Sequence, residues 1–160
     1  METPFGKEKD REFMHQAIKL ANKAYQEDEV PIGAIVVDKD GLIIGTGYNQ
    51  TEQNFTQAAH AESLAITAAG KSIKDWRLNG CWLYVTLEPC AMCMNLALLA
   101  RLDGVAFGAD SPLFGFRLDN ISSFQLYQEG AISIVPGIRS NEAAELLKKF
   151  FRNKRKGDVK

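Results

Sequence analysis

The sequence predicts a three-layer α/β/α protein built around one central mixed sheet of five strands. Short apolar stretches, some with the two-residue period of strands, alternate along the chain with longer stretches that have the 3.6-residue period of helices. The chain has 160 residues, of which 46% are hydrophobic, and this is enough for one ordinary core but too short for two domains of typical size. No internal repeat interrupts the pattern. We therefore expect a single domain over residues 1–160.

The first third of the chain predicts one helix followed by a hairpin. Apolar residues recur at helical spacing with charges between them, which predicts an amphipathic helix from about Glu8 to Gln26. Two apolar stretches, Ile32 to Asp38 and Leu42 to Gly47, are separated by Lys39-Asp40-Gly41, and Asp-Gly between hydrophobic stretches is typical of a hairpin. The polar segment from Gln50 to Ala58 is expected to be a connecting loop.

The middle of the chain predicts a helix, a buried strand and a second helix. His60 opens an apolar stretch that is expected to form a helix ending at Gly70. The residues from Cys81 to Leu87 alternate as in a buried strand, and Pro89 stops this strand. Because proline suits the first turn of a helix, a helix is expected to follow from Cys90 to about Arg101.

The last part of the chain predicts two short strands and a basic helix. The strands are expected at Val105 to Gly108 and at Ala131 to Val135. Ser140 is placed to cap the helix, which should cover about residues 141–156. Its charge stands out because 19 Lys and Arg against 20 Asp and Glu give the whole chain a formal net charge of −1. A run of basic residues in a helix of this kind is most often a solvated face, but it also offers a local cationic surface for nucleic acid.

Cysteine usage and hydropathy indicate the compartment. Three cysteines without a secretory signal argue against a disulfide framework and favour a reducing environment. The most apolar stretch, Ala91 to Ala100, is shorter than the roughly eighteen residues of a membrane span and contains Asn95. We therefore expect a cytoplasmic protein with no membrane partner. Cys81 has no partner at ligand spacing and is interpreted as a small core residue.

Cys90 and Cys93 have the spacing of metal ligands. At positions i and i+3 they share one helix face, and the positive end of the helix dipole favours the thiolates that a soft metal binds. A catalytic zinc ion takes three protein ligands and keeps one position open. Of the two histidines, His15 lies in the first amphipathic helix and is interpreted as a surface residue, whereas His60 directly precedes a helix. We therefore predict a zinc site made of His60, Cys90 and Cys93.

These motifs resemble those of a known family. The sequence His60-x-Glu62 followed by Pro89-Cys90-x-x-Cys93 is the signature of the zinc-dependent nucleoside and base deaminases, which include tRNA-acting members. Four segments are similar to the bacterial tRNA adenosine deaminases in particular: Val30 to Ala34, Gly47 to Asn49, Thr86 to Cys93 and Phe150 to Arg152. The resemblance implies the cytidine deaminase-like form of the predicted fold, with parallel fourth and fifth strands, and one zinc ion per chain.

The resemblance also implies roles for individual residues. Glu62 would move protons between the zinc-bound water and the base, so that adenosine becomes inosine. Asn49 would contact the bound nucleotide, since its amide both donates and accepts hydrogen bonds. Further substrate contacts are implied at Ala61 and, in the basic helix, at Phe151 and Arg152. A homodimer is implied as well, and the leucines of the helix after the two cysteines spread around more than one of its faces.

The segment from Asp110 to Arg117 departs from the family pattern. Its acidic residue stands one position early, Ser111 occupies a place where aspartate is common, and Phe116 and Arg117 replace small residues. Aromatic residues populate the loop between the last two strands: Phe114, Phe116, Phe124 and Tyr127. This loop can therefore change which bases are accepted beside the target. Glu88 is interpreted as a carboxylate that caps or supports the start of the following helix.

Three functions are compatible with this sequence. The first is hydrolytic deamination of adenosine to inosine at the wobble position of a tRNA anticodon, which makes the anticodon stem-loop the partner. The second is a free-base or nucleoside deaminase of guanine or cytosine type that uses the same zinc site. The third, a non-enzymatic zinc-stabilised binding module, ranks last because no fourth protein ligand is visible and Glu62 is placed for chemistry. The basic, aromatic C-terminal helix favours the first over the second, because cations bind phosphate and aromatic rings bind bases.

Overall fold

The computed structural model describes residues 2–118 and 132–157. Its helices are α1 (Lys7–Gln26), α2 (Thr51–Asn54), α3 (Ala61–Ile73), α4 (Ala91–Leu99) and α5 (Ser140–Gly157). Its strands are β1 (Gly33–Val37), β2 (Ile43–Tyr48), β3 (Trp82–Leu87), β4 (Gly104–Ala109) and β5 (Ser133–Val135). Two aromatic residues of the predicted loop, Phe124 and Tyr127, lie outside the described residues. The same is true of Ala131, at the start of the predicted fifth strand.

The five strands form one mixed sheet in the order β2-β1-β3-β4-β5. Strand β1 is antiparallel to both of its neighbours, whereas β3, β4 and β5 run parallel. The predicted mixed sheet and its parallel last two strands are thus confirmed. Within the two described ranges, no helix has the length and apolar composition needed to cross a membrane.

Helices cover both faces of this sheet. On one face, Tyr84 packs with Phe13 of α1 at a ring distance of 5.1 Å, and α5 lies beside α1 with the rings of Tyr25 and Phe150 5.7 Å apart. On the other face, a second apolar cluster joins the sheet to α3 and α4: Val36, Leu83, Val105, Ala65, Met94 and Ala97. Side chains alternate along β1 and β3, so each strand contributes residues to both clusters. The three-layer arrangement is as predicted.

The connection between β2 and α3 differs from its prediction. The segment from Gln50 to Ala58 is not an open loop, because it contains α2 and a 3₁₀ turn at Gln57–Ala59. The amides of Glu52 and Gln53 donate to the carboxylate of Glu29, at 3.2 and 2.8 Å, and Glu29 is only 1% exposed. A buried partner from another part of the chain therefore satisfies the free amides at the start of α2, and local polarity could not reveal it.

Two helix ends also differ. Helix α3 passes through Gly70 and continues to Ile73, and it ends where Lys74 adopts a left-handed conformation with φ of 57°. The carbonyl of Gly70 accepts the amide of Lys74 there, so the glycine lies inside the last turn and does not terminate the helix. Ser140 is the first residue of α5 and not a residue before it.

Helix α3 contacts β2 backbone to backbone. A Cβ atom added at Gly47 would lie 2.4 Å from the carbonyl oxygen of Ala61 and 2.7 Å from the amide nitrogen of Ala65. Only glycine permits this approach. The contact fixes the N-terminal end of α3 against the sheet, and this end carries His60 and Glu62.

Candidate metal centre and active site

The N-terminal ends of α3 and α4 meet beside the end of β3. Cys90 occupies the position before α4 and His60 the position before α3, and both have extended backbones, with ψ of 168° and 151°. Pro89 separates Cys90 from the strand, and Cys93 lies one turn into α4. Cys90 was predicted to open this helix, but it is the extended residue immediately before it. The positive ends of both helix dipoles favour anionic groups at this point.

Three donor atoms converge there. The sulfurs of Cys90 and Cys93 lie 3.7 and 3.5 Å from Nδ1 of His60, and all three donors lie within 4.8 Å of one another. A tetrahedral zinc ion bound at ordinary Zn–S and Zn–N lengths holds such a nitrogen and sulfur about 3.6 Å apart. The residues present therefore fit a zinc ion. They are the only group of this kind among the described residues.

Gln57 orients the histidine. Its Oε1 lies 3.2 Å from Nε2 of His60 and accepts the ring hydrogen there, which leaves Nδ1 free to face the sulfurs. Gln57 belongs to the 3₁₀ turn that was predicted as loop. Sequence reasoning did not identify it, although its place three residues before a histidine ligand is a usable signal.

The two thiols have different ionisation behaviour because they lie side by side. A hydrogen bond from Cys93, together with the contact to His60, outweighs burial and lowers the pKa of the Cys90 thiol to about 4. The hydrogen bond to Cys90 and burial raise the pKa of Cys93. The Cys90 thiolate in turn raises the pKa of His60 against the opposing effect of burial. A metal ion that binds both sulfurs displaces the remaining proton.

Glu62 is a buried carboxyl beside this group. It lies in the first turn of α3, is 4% exposed and adjoins the Cys93 thiol. Burial raises its pKa to about 7, against the lowering effects of its own backbone amide and of His60. A carboxyl with such a pKa both accepts and returns a proton at neutral pH.

Asn49 is buried next to the same helix end. Its amide nitrogen Nδ2 donates to the carbonyl of Val30 at 3.4 Å, and the following residue, Gln50, donates its backbone amide to Ala59 at 3.0 Å. The side chain is 4% exposed, yet Oδ1 has no hydrogen-bond partner in the part of the chain that the structure describes. A buried oxygen without a donor is costly, by about 1–3 kcal/mol. Asn49 Oδ1 is therefore an unsatisfied buried acceptor beside the start of α3.

Glu88 does not cap α4. Its carboxylate accepts the backbone amide of Ser111 at 3.0 Å and pairs with the guanidinium of Arg117 at 2.9 Å. Burial alone raises the pKa of Glu88, but these hydrogen bonds outweigh it and lower the pKa below its usual value. Sequence reasoning singled out Arg117 as a departure from the family pattern but did not foresee this pair, because no local pattern links positions so far apart.

The remaining predicted residues fall in three places. Ala61 is fully buried between His60 and Glu62 at the start of α3. Phe151 is 45% exposed and lies with Arg152 on an open face of α5. His15 is half-buried on α1 and Cys81 is 5% exposed in the core, and both lie outside the group of donors. The structure thus brings together His60, Glu62, Cys90 and Cys93, and it places Phe151 and Arg152 on another surface.

Comparison with known proteins agrees with this site. Residues 7–109 match the family described as the cytidine and deoxycytidylate deaminase zinc-binding region. The chain is 42% identical over 149 residues to a tRNA-specific adenosine deaminase from Bacillus subtilis. The alignment covers 92% of this chain and 91% of that protein.

Two solved structures have a similar fold. One belongs to studies of A-to-I editing by tRNA:A34 deaminases at the wobble position of transfer RNA, and it aligns with a TM-score of 0.78 and 36% identity over 85% of this chain and 99% of its own. The other is a guanine deaminase from Nitrosomonas europaea, with a TM-score of 0.79 over 94% of this chain and 85% of its own. At 22% identity, the second likeness shows the fold alone.

Proposed function

The chain belongs to the zinc-dependent deaminase family and, within it, to the tRNA-specific adenosine deaminases, and from this premise we propose that it hydrolyses adenosine to inosine at the wobble position of a tRNA anticodon. The observation that carries the chemistry is the buried carboxyl of Glu62 beside three converging donors. Three protein donors suit a catalytic zinc site, because a structural site takes four. This favours an enzyme over a zinc-stabilised binding module.

His60, Cys90 and Cys93 would hold one zinc ion per chain. When bound, the ion supplies hydroxide at neutral pH by lowering the pKa of water to about 7. Glu62 accepts a proton from the attacking water at its carboxylate and returns it to the ring nitrogen of the base. It then takes a second proton from the hydroxyl group added at C6 and delivers it to the departing amine, which leaves as ammonia. Its burial supports this role, because a carboxyl that is shielded from solvent exchanges its proton with the bound base and not with bulk water.

Asn49 and Ala61 would contact the target nucleotide. The unpartnered Oδ1 of Asn49 can accept a hydrogen bond from a base or a ribose hydroxyl. Ala61 has no polar side-chain atom, so it would contribute a close backbone and methyl contact at the start of α3. Both residues adjoin the segment that positions His60.

The surface of α5 would bind the RNA backbone and an unstacked base. Lys148, Arg152 and Arg155 lie together with Phe151 on one face of α5, so cations and an exposed ring share one surface. Cations of this kind bind phosphate, and an aromatic face stacks on a base. A free-base deaminase has no use for such a surface, which favours RNA over the small-molecule alternative.

Removing these charges is expected to weaken RNA binding selectively. We expect Lys148→Gln, Arg152→Gln and Arg155→Gln in one protein to raise KM for a tRNA anticodon stem-loop at least tenfold. The salt dependence of binding should also fall, by about 0.7 in the log–log slope for each lost contact to single-stranded phosphate. Binding titrations over a range of salt concentrations measure both effects.

Ending the chain at Leu147 would also remove these cations, but substitution is preferable. Such a truncation would also remove Phe150, which is 6% exposed and packs on Tyr25. The matched control removes three exposed cations from α1: Lys7→Gln, Lys9→Gln and Lys19→Gln. An equal rise of KM in both proteins would show that only the overall charge matters and would contradict the proposed surface.

The function itself is tested by inosine mapping after incubation with total bacterial tRNA. We expect inosine at the wobble position of at least one tRNA, with free adenosine, guanine and cytidine as poor substrates. Rapid turnover of a free base with no inosine in any tRNA would favour the second function. Because the guanine deaminase likeness shows the fold alone, substrate turnover is the deciding measurement.

The active form would be a cytoplasmic homodimer. The helix that carries Cys93 also exposes large apolar side chains, with Met92 44% and Leu99 73% accessible, while Leu102, which follows the helix, is buried. A second copy could cover these residues, as expected from the spread of leucines around the helix. Sedimentation at micromolar concentration tests this, and a fully active monomer would refute it. A tRNA substrate and free thiol ligands both suit the cytoplasm.

A further inference from the structure

The segment from Asp110 to Arg117 folds back over a single buried carboxylate. Glu88 is 5% exposed, and its two oxygens accept hydrogen bonds from two backbone amides, of Ser111 at 3.0 Å and of Arg117 at 3.3 Å. The guanidinium of Arg117 adds a bidentate pair, with Nε 2.9 Å and Nη2 3.1 Å from the two oxygens. Both ends of the segment are thus bound to the same side chain.

Gly115 packs directly against this carboxylate. A Cβ atom added at Gly115 would lie 2.4 Å from the carboxyl carbon of Glu88 and 2.5 Å from one of its oxygens. The guanidinium is further fixed by Asp110 at 2.5 Å and by the face of Phe107, whose ring centre lies 5.2 Å away. A planar fork with several donors suits such a site, and the single ammonium of lysine does not.

The same segment is tied to the chain that carries the first cysteine donor. The amide of Glu88 donates to the carbonyl of Ala109 at 2.8 Å, and the amide of Phe116 donates to the carbonyl of Pro89 at 2.8 Å. These backbone bonds do not depend on the side chain of Arg117. The position of Cys90 is therefore held without the guanidinium, whereas the outer part of the segment depends on it.

The outer part of the segment faces solvent, and the segment is bonded through Phe116 to Pro89, the residue before Cys90. Leu113 is 77% exposed and Phe114 is 76% exposed, directly before the glycine that packs on Glu88. An exposed ring on an anchored segment can stack on an unstacked base. The ring is useful for this purpose only if the segment is held in one place, because fixing it during binding costs conformational entropy.

We propose that Arg117 is a positioning residue for RNA: through its bidentate pair with Glu88 it fixes the 110–117 segment beside the metal centre, as a platform for the nucleotides that flank the target adenosine. The proposal rests on the proposed function. Arg117 acts on the substrate through Glu88 and does not itself contact phosphate.

The test compares KM and kcat for an anticodon stem-loop in single and double variants. We expect Arg117→Met to raise KM about tenfold while kcat stays within about twofold and zinc content is unchanged. Arg117→Lys should recover only part of this loss. Glu88→Gln should raise KM to a similar degree, and adding Arg117→Met to Glu88→Gln should cause little further loss, because both changes break the same pair. Arg139→Met is the matched control, since Arg139 pairs with Glu142 at 2.6 Å away from the site.

Each outcome decides the proposal. A wild-type KM in Arg117→Met or in Arg117→Lys overturns it, and the lysine variant carries the test if the methionine variant fails to fold. Independent, additive losses in the double variant, with a smaller salt dependence, would mean that Arg117 binds phosphate directly and would also overturn it. Failure of the wild-type protein to form inosine in any tRNA refutes the proposed function itself, whereas an active wild type with an unaffected Arg117→Met variant refutes only the role of Arg117.

Discussion

Replacing Glu62 with glutamine is expected to lower kcat for the tRNA substrate by about 10²–10⁴-fold while the protein keeps its zinc. Glutamine preserves the shape of the side chain but can neither accept nor deliver the protons that the reaction moves. The carboxyl is not one of the three converging donors, so its loss should leave the metal in place. Single-turnover rates at matched zinc content measure the effect.

A second measurement on the same variant follows from burial. Desolvation raises the pKa of Glu62 to about 7 from an ordinary value of 4.5, so the folded zinc-free protein binds a proton that the unfolded chain releases between these two values. Its unfolding free energy should therefore fall as pH rises from about 4.5 to 7, and Glu62→Gln should remove part of that fall. Denaturant titrations of both zinc-free proteins at pH 5 and 7 test the sign.

Glu12→Gln is the matched control for both measurements, because Glu12 is an exposed carboxylate on α1 that pairs with Lys9. We expect wild-type turnover and an unchanged pH dependence of stability for this variant. Retention of the wild-type rate in Glu62→Gln would place the proton transfer on another group and would contradict the mechanism.

The sequence predicted the centre of the molecule better than its connections. The strand before Pro89 and the donors at Cys90 and Cys93 follow from local patterns: alternation, proline at a helix start and i, i+3 spacing. His60 was predicted by elimination, because few other residues offer ligand chemistry. The geometry, with donor distances of 3.5 and 3.7 Å, agrees with that prediction.

The features that escaped prediction depend on partners distant in sequence. Glu29 stabilises α2, which was predicted as loop, and Glu88 binds the 110–117 segment, which was noted only for its unusual composition. In both cases a buried carboxylate accepts backbone amides that have no partner nearby in the chain. A sequence shows that a carboxylate is present, but its burial and its donors arise only when the chain folds.

The C-terminal helix shows a different limit. Its boundaries were predicted to within one residue at each end, because its amphipathic pattern is strong and its basic residues lie in the last turns. Its role could not be separated from that of a solvated face by pattern alone. The structure adds that Phe150 packs inward on Tyr25 while Phe151 stays exposed among cations, so two adjacent aromatic residues have different surroundings.

Loss of any one donor is expected to abolish both zinc binding and turnover. We expect Cys90→Ala and His60→Ala to contain far less than one zinc per chain and to show only background deamination, because two remaining donors cannot hold a tetrahedral ion firmly. Zinc binding should also strengthen as pH rises, since Cys93 must lose its proton to bind the ion, and the hydrogen bond to Cys90 together with burial raises the pKa of Cys93. Metal analysis after dialysis, at pH 6 and at pH 8, measures both effects.

Cys81→Ala separates the loss of a donor from the loss of a buried thiol. Cys81 is 5% exposed and lies outside the donor group, so this variant should keep its zinc and its turnover while losing about 1 kcal/mol of unfolding free energy. Undiminished zinc in both Cys90→Ala and His60→Ala would contradict the assigned ligands. Loss of zinc from Cys81→Ala as well would instead indicate that the site responds to packing in the core, because this thiol lies beside β3, the strand that leads directly to Cys90.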